Sequence, residues 1–487
     1  MEHSSMIQAF YPHQTLLVTG ASGFVGKVLL AQLLKSCPVK KLYVLLRPSA
    51  GRSAQERLLV DVFSSPAFDE MRNAHQYEGG WNEWISKRVV AVPGDLLKPD
   101  FGIQHKHVIR KLQEEVTVVI HLAASVHFNS PLKDNYRSNV EGTMRILEFA
   151  KGCPFLQVFV HTSTCYVNSD HEGRVKEDIL PLSWDTEELL AAVHKMIELR
   201  DNEARYTHLD VANLEKQLLG RFPNTYTFTK RLSEALLIRD WEKALLHPEQ
   251  SEVKFPLCML RPSIVGAAYQ HPRRGWIDNL NATGGMFLLC ALGVLKCLPA
   301  NPNLIGDNVP VDTVADALIV SGAAVAAAHA WGDILYYGRE YNMMNPFFNR
   351  ITRDLQTPYF EGDFDDFRRL PAAVTATITR YLLPASSPLK RNAVMYHSGI
   401  KKVEKAAEAF HPFSYHEWVF EQNNMRKLQH LLTPEERNVY LLKTEDLDWR
   451  SWTHYFFYGI ARWLLKEQSG KSQPHQGEWN TFFRVSM

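Results

Sequence analysis

Three glycines constrain this chain more firmly than any other feature. Gly20, Gly23 and Gly26 stand in Thr19–Gly26, TGASGFVG, directly after the apolar run Thr15–Gly20 and at the start of a helical pattern from Phe24. In that setting the first glycine permits a tight turn, the second lets backbone approach a pyrophosphate, and the third lets the helix pack close. The helix N-terminus then offers free N–H groups to the phosphates. Thr19, Ser22, Phe24 and Val25 fall in the same turn and are candidate dinucleotide contacts with the glycines. A Gly-rich turn without a ligand is the bland alternative, but it gives no reason for the strand before and the helix after.

The apolar runs that follow extend the pattern. Lys41–Arg47, Arg88–Gly94, Thr117–Ala123 and Leu156–Thr162 are short, rich in Val, Ile and Leu, and lack clean alternation. Strands buried on both faces of a parallel sheet read this way. Helical segments such as Phe24–Ser36 and Asn135–Lys151 separate them. The alternation predicts an α/β fold, a doubly wound parallel Rossmann sheet with right-handed crossovers. The second run ends in Arg47, where an acidic residue would bind a ribose hydroxyl and an Arg suits the 2′-phosphate of NADP. A solvated Arg at a strand end is the alternative, and Arg52 is a second candidate for the phosphate. Asp95, Leu96 and Ala123 follow later strands, where adenine and ribose contacts lie, and Pro262 completes the candidate cofactor contacts.

Tyr226 and Lys230 are four apart and face one side of a predicted helix, Thr225–Leu246. An ammonium beside a phenol favours phenolate, so the Tyr pKa is expected to fall below about 10. Such a Tyr passes a proton to a carbonyl oxygen as hydride arrives. Lys230 is also a candidate for the nicotinamide ribose. A Tyr/Lys pair at this spacing also occurs on purely structural helices, so its weight comes from its company. Ser163 and Thr164 follow the fifth run, at the sheet edge where α/β ligands bind. A hydroxyl there donates to the same carbonyl oxygen, and the two compete for that role.

Composition narrows partners more than fold. Lys+Arg is 54 against Asp+Glu 53, a net charge of +1, so no global field draws nucleic acid. The 6 Cys form no C-x-x-C pair, so neither a zinc site nor any other metal is expected. Scattered thiols suit a reducing compartment. The N-terminus carries no basic stretch followed by an apolar run. The longest apolar stretch, Met286–Leu295, falls far short of the ~20 residues of a spanning helix. These features predict a cytoplasmic location without a transmembrane segment. Peripheral membrane contact and oligomeric state stay open.

Five stretches carry a resemblance. They are Thr19–Leu30 (TGASGFVGKVLL), Leu45–Pro48 (LLRP), His161–Asn168 (HTSTCYVN), Pro223–Lys230 (PNTYTFTK) and Leu260–Asn279 (LRPSIVGAAYQHPRRGWIDN). Within the extended short-chain dehydrogenase/reductases, the chain resembles the fatty acyl-CoA reductases. HPFSYHEWVFEQNNMRKL and DWRSWTHYFFYGIARWLLKE extend the resemblance into a helical C-terminal part. The resemblance implies NADPH-dependent reduction of long-chain acyl-CoA to aldehyde, and on to the primary alcohol in alcohol-forming members. It implies Tyr226 as proton donor, Lys230 as the residue orienting Tyr and ribose, and Thr164 as the preferred hydroxyl, with Ser163 as fallback. Many eukaryotic members end in a hydrophobic membrane segment, which this sequence lacks.

The expected organisation is a reductase domain over 1–350, a linker over 351–375 and a smaller, mostly helical C-terminal domain over 376–487. An insertion at about 183–222 and segments at about 263–310 fall on the substrate side. The insertion and the Met286–Leu298 run are candidates to enclose an acyl tunnel, although core packing is the commoner use of such residues. Arg273 and Arg274, and the basic segment Leu389–Lys405, are candidate phosphate or membrane contacts, with solvated surface as the alternative. Helices are expected over His416–Leu432, Thr433–Leu442 and Trp452–Lys466. Rival functions are an aldehyde-forming acyl-thioester reductase, another extended reductase acting on sugar nucleotides or hydroxysteroids, and a non-enzymatic NADP-binding sensor.

Overall fold

The computed structural model describes residues 5–330 apart from 50, 76–79, 129, 179, 181, 183–184, 202–207, 248, 282, 292–297 and 300–305. It also describes 343–344, 359–360 and 409–466 apart from 410, 414–415, 417 and 446. The strands are β1 (Thr15–Thr19), β2 (Lys41–Leu46), β3 (Val89–Pro93), β4 (Val118–His121), β5 (Val158–Thr162), β6 (Gly173–Val175), β7 (Leu257–Leu260), β8 (Ile264–Gly266), β9 (Leu298–Pro299), β10 (Asn308–Pro310), β11 (Met343–Met344), β12 (Tyr359–Phe360) and β13 (Trp418–Phe420). A parallel sheet of seven strands runs in the order β11-β7-β5-β4-β1-β2-β3. Its order reverses at β1, between β2 and β4, which is where ligands bind in such sheets.

Side-chain alternation along each strand sorts the core into two faces. Leu16, Val18, Leu42, Val44, Val118, Ile120, Val158 and Val160 point to one face, packed with Val28, Leu29 and Leu33 of the Phe24–Ser36 helix and with the Val311–Ala330 helix. Leu17, Tyr43, Leu45, Val119, Phe159, Leu257 and Met259 point to the other, against Ile146 and Leu147 of the Gly142–Lys151 helix and Leu237 of the Thr225–Leu246 helix. Every β1 residue is buried, which explains the lack of polar alternation in its sequence.

The expected insertion forms two helices, Thr186–Asp201 and His208–Leu219. Leu189, Val193 and Met196 of the first bury against Phe228, Leu232 and Leu236. Late residues enter the first-face core directly, with Met425, Leu428, Leu432, Tyr440 and Leu442 in the same cluster as β1. The Asp316 carboxylate accepts from the Leu441 N–H at 2.8 Å. Trp452, Phe456 and Ile460 are fully buried with Ala267, Ile277 and Phe287, and the Trp452 indole donates to the Ala267 carbonyl at 2.8 Å. The aromatic stretch Trp452–Leu465 therefore packs on the reductase residues.

One expected helix needs correction. His416–Leu432 does not form a single helix; Trp418–Phe420 is strand β13, and the helix spans Asn423–Leu431. The reason is a period of two, with Trp418 and Phe420 buried and Val419 exposed, matched to a partner edge at β6. The expected linker and the basic Leu389–Lys405 segment lie outside the described residues, save β12. Among the described residues no helix is long and apolar enough to cross a membrane.

Candidate active site

The glycine turn sits where the sheet order reverses. Gly20 has φ +73°, and a Cβ there would lie 2.7 Å from the Ala123 nitrogen, so the ends of β1 and β4 abut. Gly23 is the N-cap of the Phe24–Ser36 helix, donates to the Gly20 carbonyl at 3.0 Å, and accepts from Lys27 at 3.0 Å. A Cβ on Gly26 would meet the Ala21 Cα at 2.6 Å, which is the close helix packing the motif predicts. Ser22, Phe24 and Val25 are part-buried and Gly23 is exposed, so the turn opens outward at the helix N-terminus. Thr19 Oγ1 accepts from the Ala123 N–H at 3.2 Å and pairs with His121 Nδ1 at 2.7 Å.

Beyond this turn the candidate contacts differ in freedom. Arg47 is exposed at the end of β2, and its carbonyl accepts from the Arg57 guanidinium at 2.5 Å. Arg52 is engaged in an ion pair with Asp61 at 2.8 Å. Asp95 Oδ1 accepts from the Leu97 N–H at 3.0 Å, shaping the loop after β3, and the Leu96 carbonyl accepts from Arg145 at 2.9 Å.

The hydroxyls and the Tyr/Lys pair meet at the ends of β5 and β7. Thr164 donates to the Pro262 carbonyl at 3.3 Å, and its Oγ1 receives the Tyr166 N–H at 3.4 Å. The Tyr226 hydroxyl lies beside Thr164, close enough for that hydroxyl to act on its pKa. Ser163 Oγ is buried and has no hydrogen-bond partner among the described residues. The Asn224 side chain caps the Thr225–Leu246 helix through the Thr227 N–H at 2.9 Å, which sets Tyr226 in the first turn. Lys230 is buried and its ammonium donates to the Thr162 carbonyl at 2.7 Å.

The electrostatics overturn one expectation. The Tyr226 phenol is not pulled down by Lys230; burial pushes it well above the ordinary range, only partly offset by the Thr164 hydroxyl, with Cys165 adding to the rise. Burial instead lowers Lys230 to about 8, against the pull of Glu234. The ammonium is aimed at a backbone carbonyl, and desolvation outweighs charge attraction here. His121 and His161 stack at 5.4 Å beneath the site. Burial, with Lys230 nearby, lowers His121 to about 3 and holds His161 well below its ordinary value, so both are neutral.

Two asparagines escaped the sequence reading. Asn139 Nδ2 donates to the Ser125 carbonyl and to Thr229 Oγ1, each at 3.1 Å, while its Oδ1 receives the Ser125 N–H at 2.7 Å. Asn135 Nδ2 donates to Thr225 Oγ1 at 2.7 Å and to the His127 carbonyl at 3.0 Å. Together they fasten the loop after β4 to the helix that carries Tyr226 and Lys230. Asn139 lies in a π-helical stretch, Tyr136–Glu141, a feature frequent at functional sites. The available signal was a polar residue at helical spacing within an apolar face.

A family model described as Male sterility protein matches residues 18–318, and a second of the same description matches 368–467. The chain belongs to the Male sterility protein family. Fatty acyl-CoA reductase 1 of Xenopus laevis is 28% identical over 478 residues, covering 95% of this chain and 87% of that protein. Fatty acyl-CoA reductase 2 of Mus musculus is also 28% identical, with the same coverage of each chain. Among solved structures, the terminal R domain of the myxalamid pathway matches with a TM-score of 0.55 at 17% identity, over 96% of each chain. A nonribosomal peptide synthetase reductase domain from Mycobacterium tuberculosis matches with a TM-score of 0.51 at 16% identity, over 92% of each chain. The structural likenesses establish the fold alone.

Membership of this family and the reductase relatives make the chain an oxidoreductase built on an NAD(P)-binding Rossmann sheet. The first model's range takes in the glycine turn, Thr164, Tyr226 and Lys230 in one stretch. Of the two regions expected to enclose a tunnel, Met286–Leu288 lies in the cluster beside Trp452 and Phe456, with the Phe287 ring 4.9 Å from Phe456 and 5.1 Å from Phe457. The side chains of 290–297 lie outside the described residues. Arg273 and Arg274 are both exposed, and Arg274 donates to the Tyr455 hydroxyl at 3.2 Å.

Proposed function

We propose that the protein reduces long-chain fatty acyl-CoA with NADPH to the aldehyde and then to the primary alcohol, releasing CoA. The observation that carries this reading is the Tyr226 phenol standing beside Thr164 at the end of β5, one helical turn from buried Lys230. A carbonyl oxygen placed there can receive the Tyr226 O–H, and that of Thr164 once it leaves the Pro262 carbonyl. The names of the relatives supply the substrate class, an acyl thioester of CoA. Carriage of the chain by a protein rather than CoA, with release at the aldehyde, is the second reading, and product analysis separates the two.

The residues fit a dinucleotide. A Cβ at Gly20 or Gly26 would strike the backbone that closes the turn, and the helix N-terminus opens outward at Ser22–Val25. Thr19, Gly20, Ser22, Gly23, Phe24, Val25 and Gly26 would hold the pyrophosphate side, Asp95, Leu96 and Ala123 the adenosine side, and Lys230 and Pro262 the nicotinamide side. Exposed Arg47 at the β2 end would pair with a 2′-phosphate, which favours NADPH. When bound, the cofactor supplies hydride to the carbonyl carbon.

The chain's own residues do the rest. Thr164 and Tyr226 stabilise the developing oxyanion. In the first reduction the C–S bond breaks and CoA leaves as thiolate. In the second the aldehyde oxygen takes the Tyr226 proton and becomes the alcohol hydroxyl. A phenol whose pKa is raised holds its proton until the oxyanion forms, which suits an acid. Lys230, charged near neutral pH, fixes the Thr162 carbonyl and so the start of the hydroxyl loop. Within this proposal the catalytic unit spans 1–350 and the helical part 376–487. The protein acts in the cytoplasm, in keeping with free, buried Cys37, Cys153, Cys165 and Cys258.

The test is product analysis with palmitoyl-CoA and excess NADPH, following thiol release and the organic products. Hexadecanol is the expected product. Hexadecanal alone supports release at the aldehyde, and absence of thiol release refutes reduction of acyl-CoA. Tyr226→Phe should abolish turnover and leave NADPH binding nearly unchanged.

A further inference from the structure

A row of aromatic rings leads away from the proposed proton donor. The Phe128 ring centroid lies 5.6 Å from that of Tyr226. Phe413 follows, 5.4 Å from Phe128, and meets Tyr166 edge-on at 4.7 Å. Trp418 lies 6.1 Å beyond Phe413 and 5.4 Å from Tyr166. Three distant parts of the chain supply these rings: the loop after β4, the turn after β5, and the residues around β13.

The polar ends of the deeper rings are engaged elsewhere. The Trp418 indole donates to the His171 carbonyl at 2.8 Å, and the Tyr166 phenol lies near Asp307, which helps raise its pKa. Tyr166 and Trp418 are buried, whereas Phe128 and Phe413 are only part-buried. What these two present is carbon, beside the phenol, on the sheet edge where ligands bind. A hydrocarbon laid along such rings gains in proportion to the apolar area it covers. A thioester whose oxygen meets Tyr226 must place the first carbons of its chain against whatever flanks that phenol. Phe128 flanks it, and Phe413 continues the row.

We propose that Phe128 and Phe413 are the specificity-determining contacts for the hydrocarbon chain of the substrate, a role that rests on the acyl-thioester reading above. The described parts of the two regions singled out in the sequence pack elsewhere. Phe287 packs on Phe456 and Phe457, and the insertion helices bury their own apolar residues on Phe228, Leu232 and Leu236.

Titration calorimetry with unreactive S-alkyl-CoA thioethers tests this without turnover, using octyl and hexadecyl chains and the full-length protein with NADPH. Wild type should bind the hexadecyl thioether more tightly than the octyl one. Phe128→Ala should weaken octyl and hexadecyl binding alike, by about tenfold, Phe413→Ala should weaken hexadecyl binding about tenfold and octyl binding less, and both should leave NADPH binding within about twofold. Phe413→Leu, which keeps apolar volume, should recover most of the loss and guards against misfolding. An undiminished chain-length gain in Phe413→Ala would overturn the proposal, as would absence of thioether binding by wild type. Ring-dependent thioether binding without reduction of acyl-CoA would sink the reductase reading and uphold this one.

Discussion

The Lys230 ammonium donates to the main-chain carbonyl of Thr162 at 2.7 Å, tying the Tyr226 helix to the end of β5. The charge that strengthens this bond rests on a proton that burial makes easier to lose, since Lys230 is lowered to about 8. Activity should therefore fall as pH rises through about 8, read as kcat/KM across a pH series. Lys230→Arg should flatten that limb, because a guanidinium stays charged there. Stability moves the other way. A lysine whose folded pKa lies below its free value of 10.5 opposes folding while the unfolded chain holds the extra proton. That penalty is full below about 8 and fades toward 10.5, so this residue's contribution to stability rises with pH across the window.

Thr164 and Ser163 separate by one exchange. Thr164 Oγ1 donates to the Pro262 carbonyl and stands beside the Tyr226 phenol, whereas buried Ser163 Oγ meets no partner among the described residues. Thr164→Val should lower kcat by roughly a hundredfold or more, the scale of one lost oxyanion donor. Ser163→Ala should change kcat by less than about fivefold. Steady-state kinetics on the two variants decides, and a reversed order would move the role to Ser163.

Arg47 is exposed while Arg52 is held by Asp61. Arg47→Ala should raise the KM for NADPH at least about tenfold and leave that for NADH nearly unchanged, in line with loss of a charge-assisted pair. Equal effects on both cofactors would remove Arg47 from the phosphate.

Glu234 and Arg261 form a doubly hydrogen-bonded ion pair at 2.9 and 2.6 Å, with both side chains fully buried. Glu234→Ala removes the carboxylate from a buried guanidinium and should cost about 3–5 kcal/mol of stability by urea denaturation. Replacing both partners with apolar residues of similar volume should recover a large part of that loss. A cost under about 1 kcal/mol for the single change would contradict burial of the pair.

The glycine turn was legible because its purpose is local: a tight bend, a phosphate approach and a helix contact fall within eight residues, Thr19–Gly26. Tyr226 and Lys230 were legible from helical spacing, but their titration was not. Which group shifts depends on burial and on the Thr162 carbonyl, which is brought there from another strand. Asn135 and Asn139 were missed because their partners, Thr225 and Thr229, each lie 90 positions away. Trp418–Phe420 was taken as helix because its period-two stretch is only three residues long and acquires meaning beside Gly173–Val175.

That last pairing bears on how the molecule is made. The contacts around β13 join residues 247 positions apart, including the Trp418 indole on His171 and the Glu177 carboxylate on the Asn424 N–H. Closing so large a loop costs little more than closing a medium one, since the entropy grows only with the logarithm of length. The wait is what grows. At ribosomal speeds the stretch after Thr164 emerges roughly 10–50 s before its partner. During that interval the nascent chain displays Tyr166 and the β6 edge uncovered, an exposure that a chaperone would shield and an aggregate would exploit.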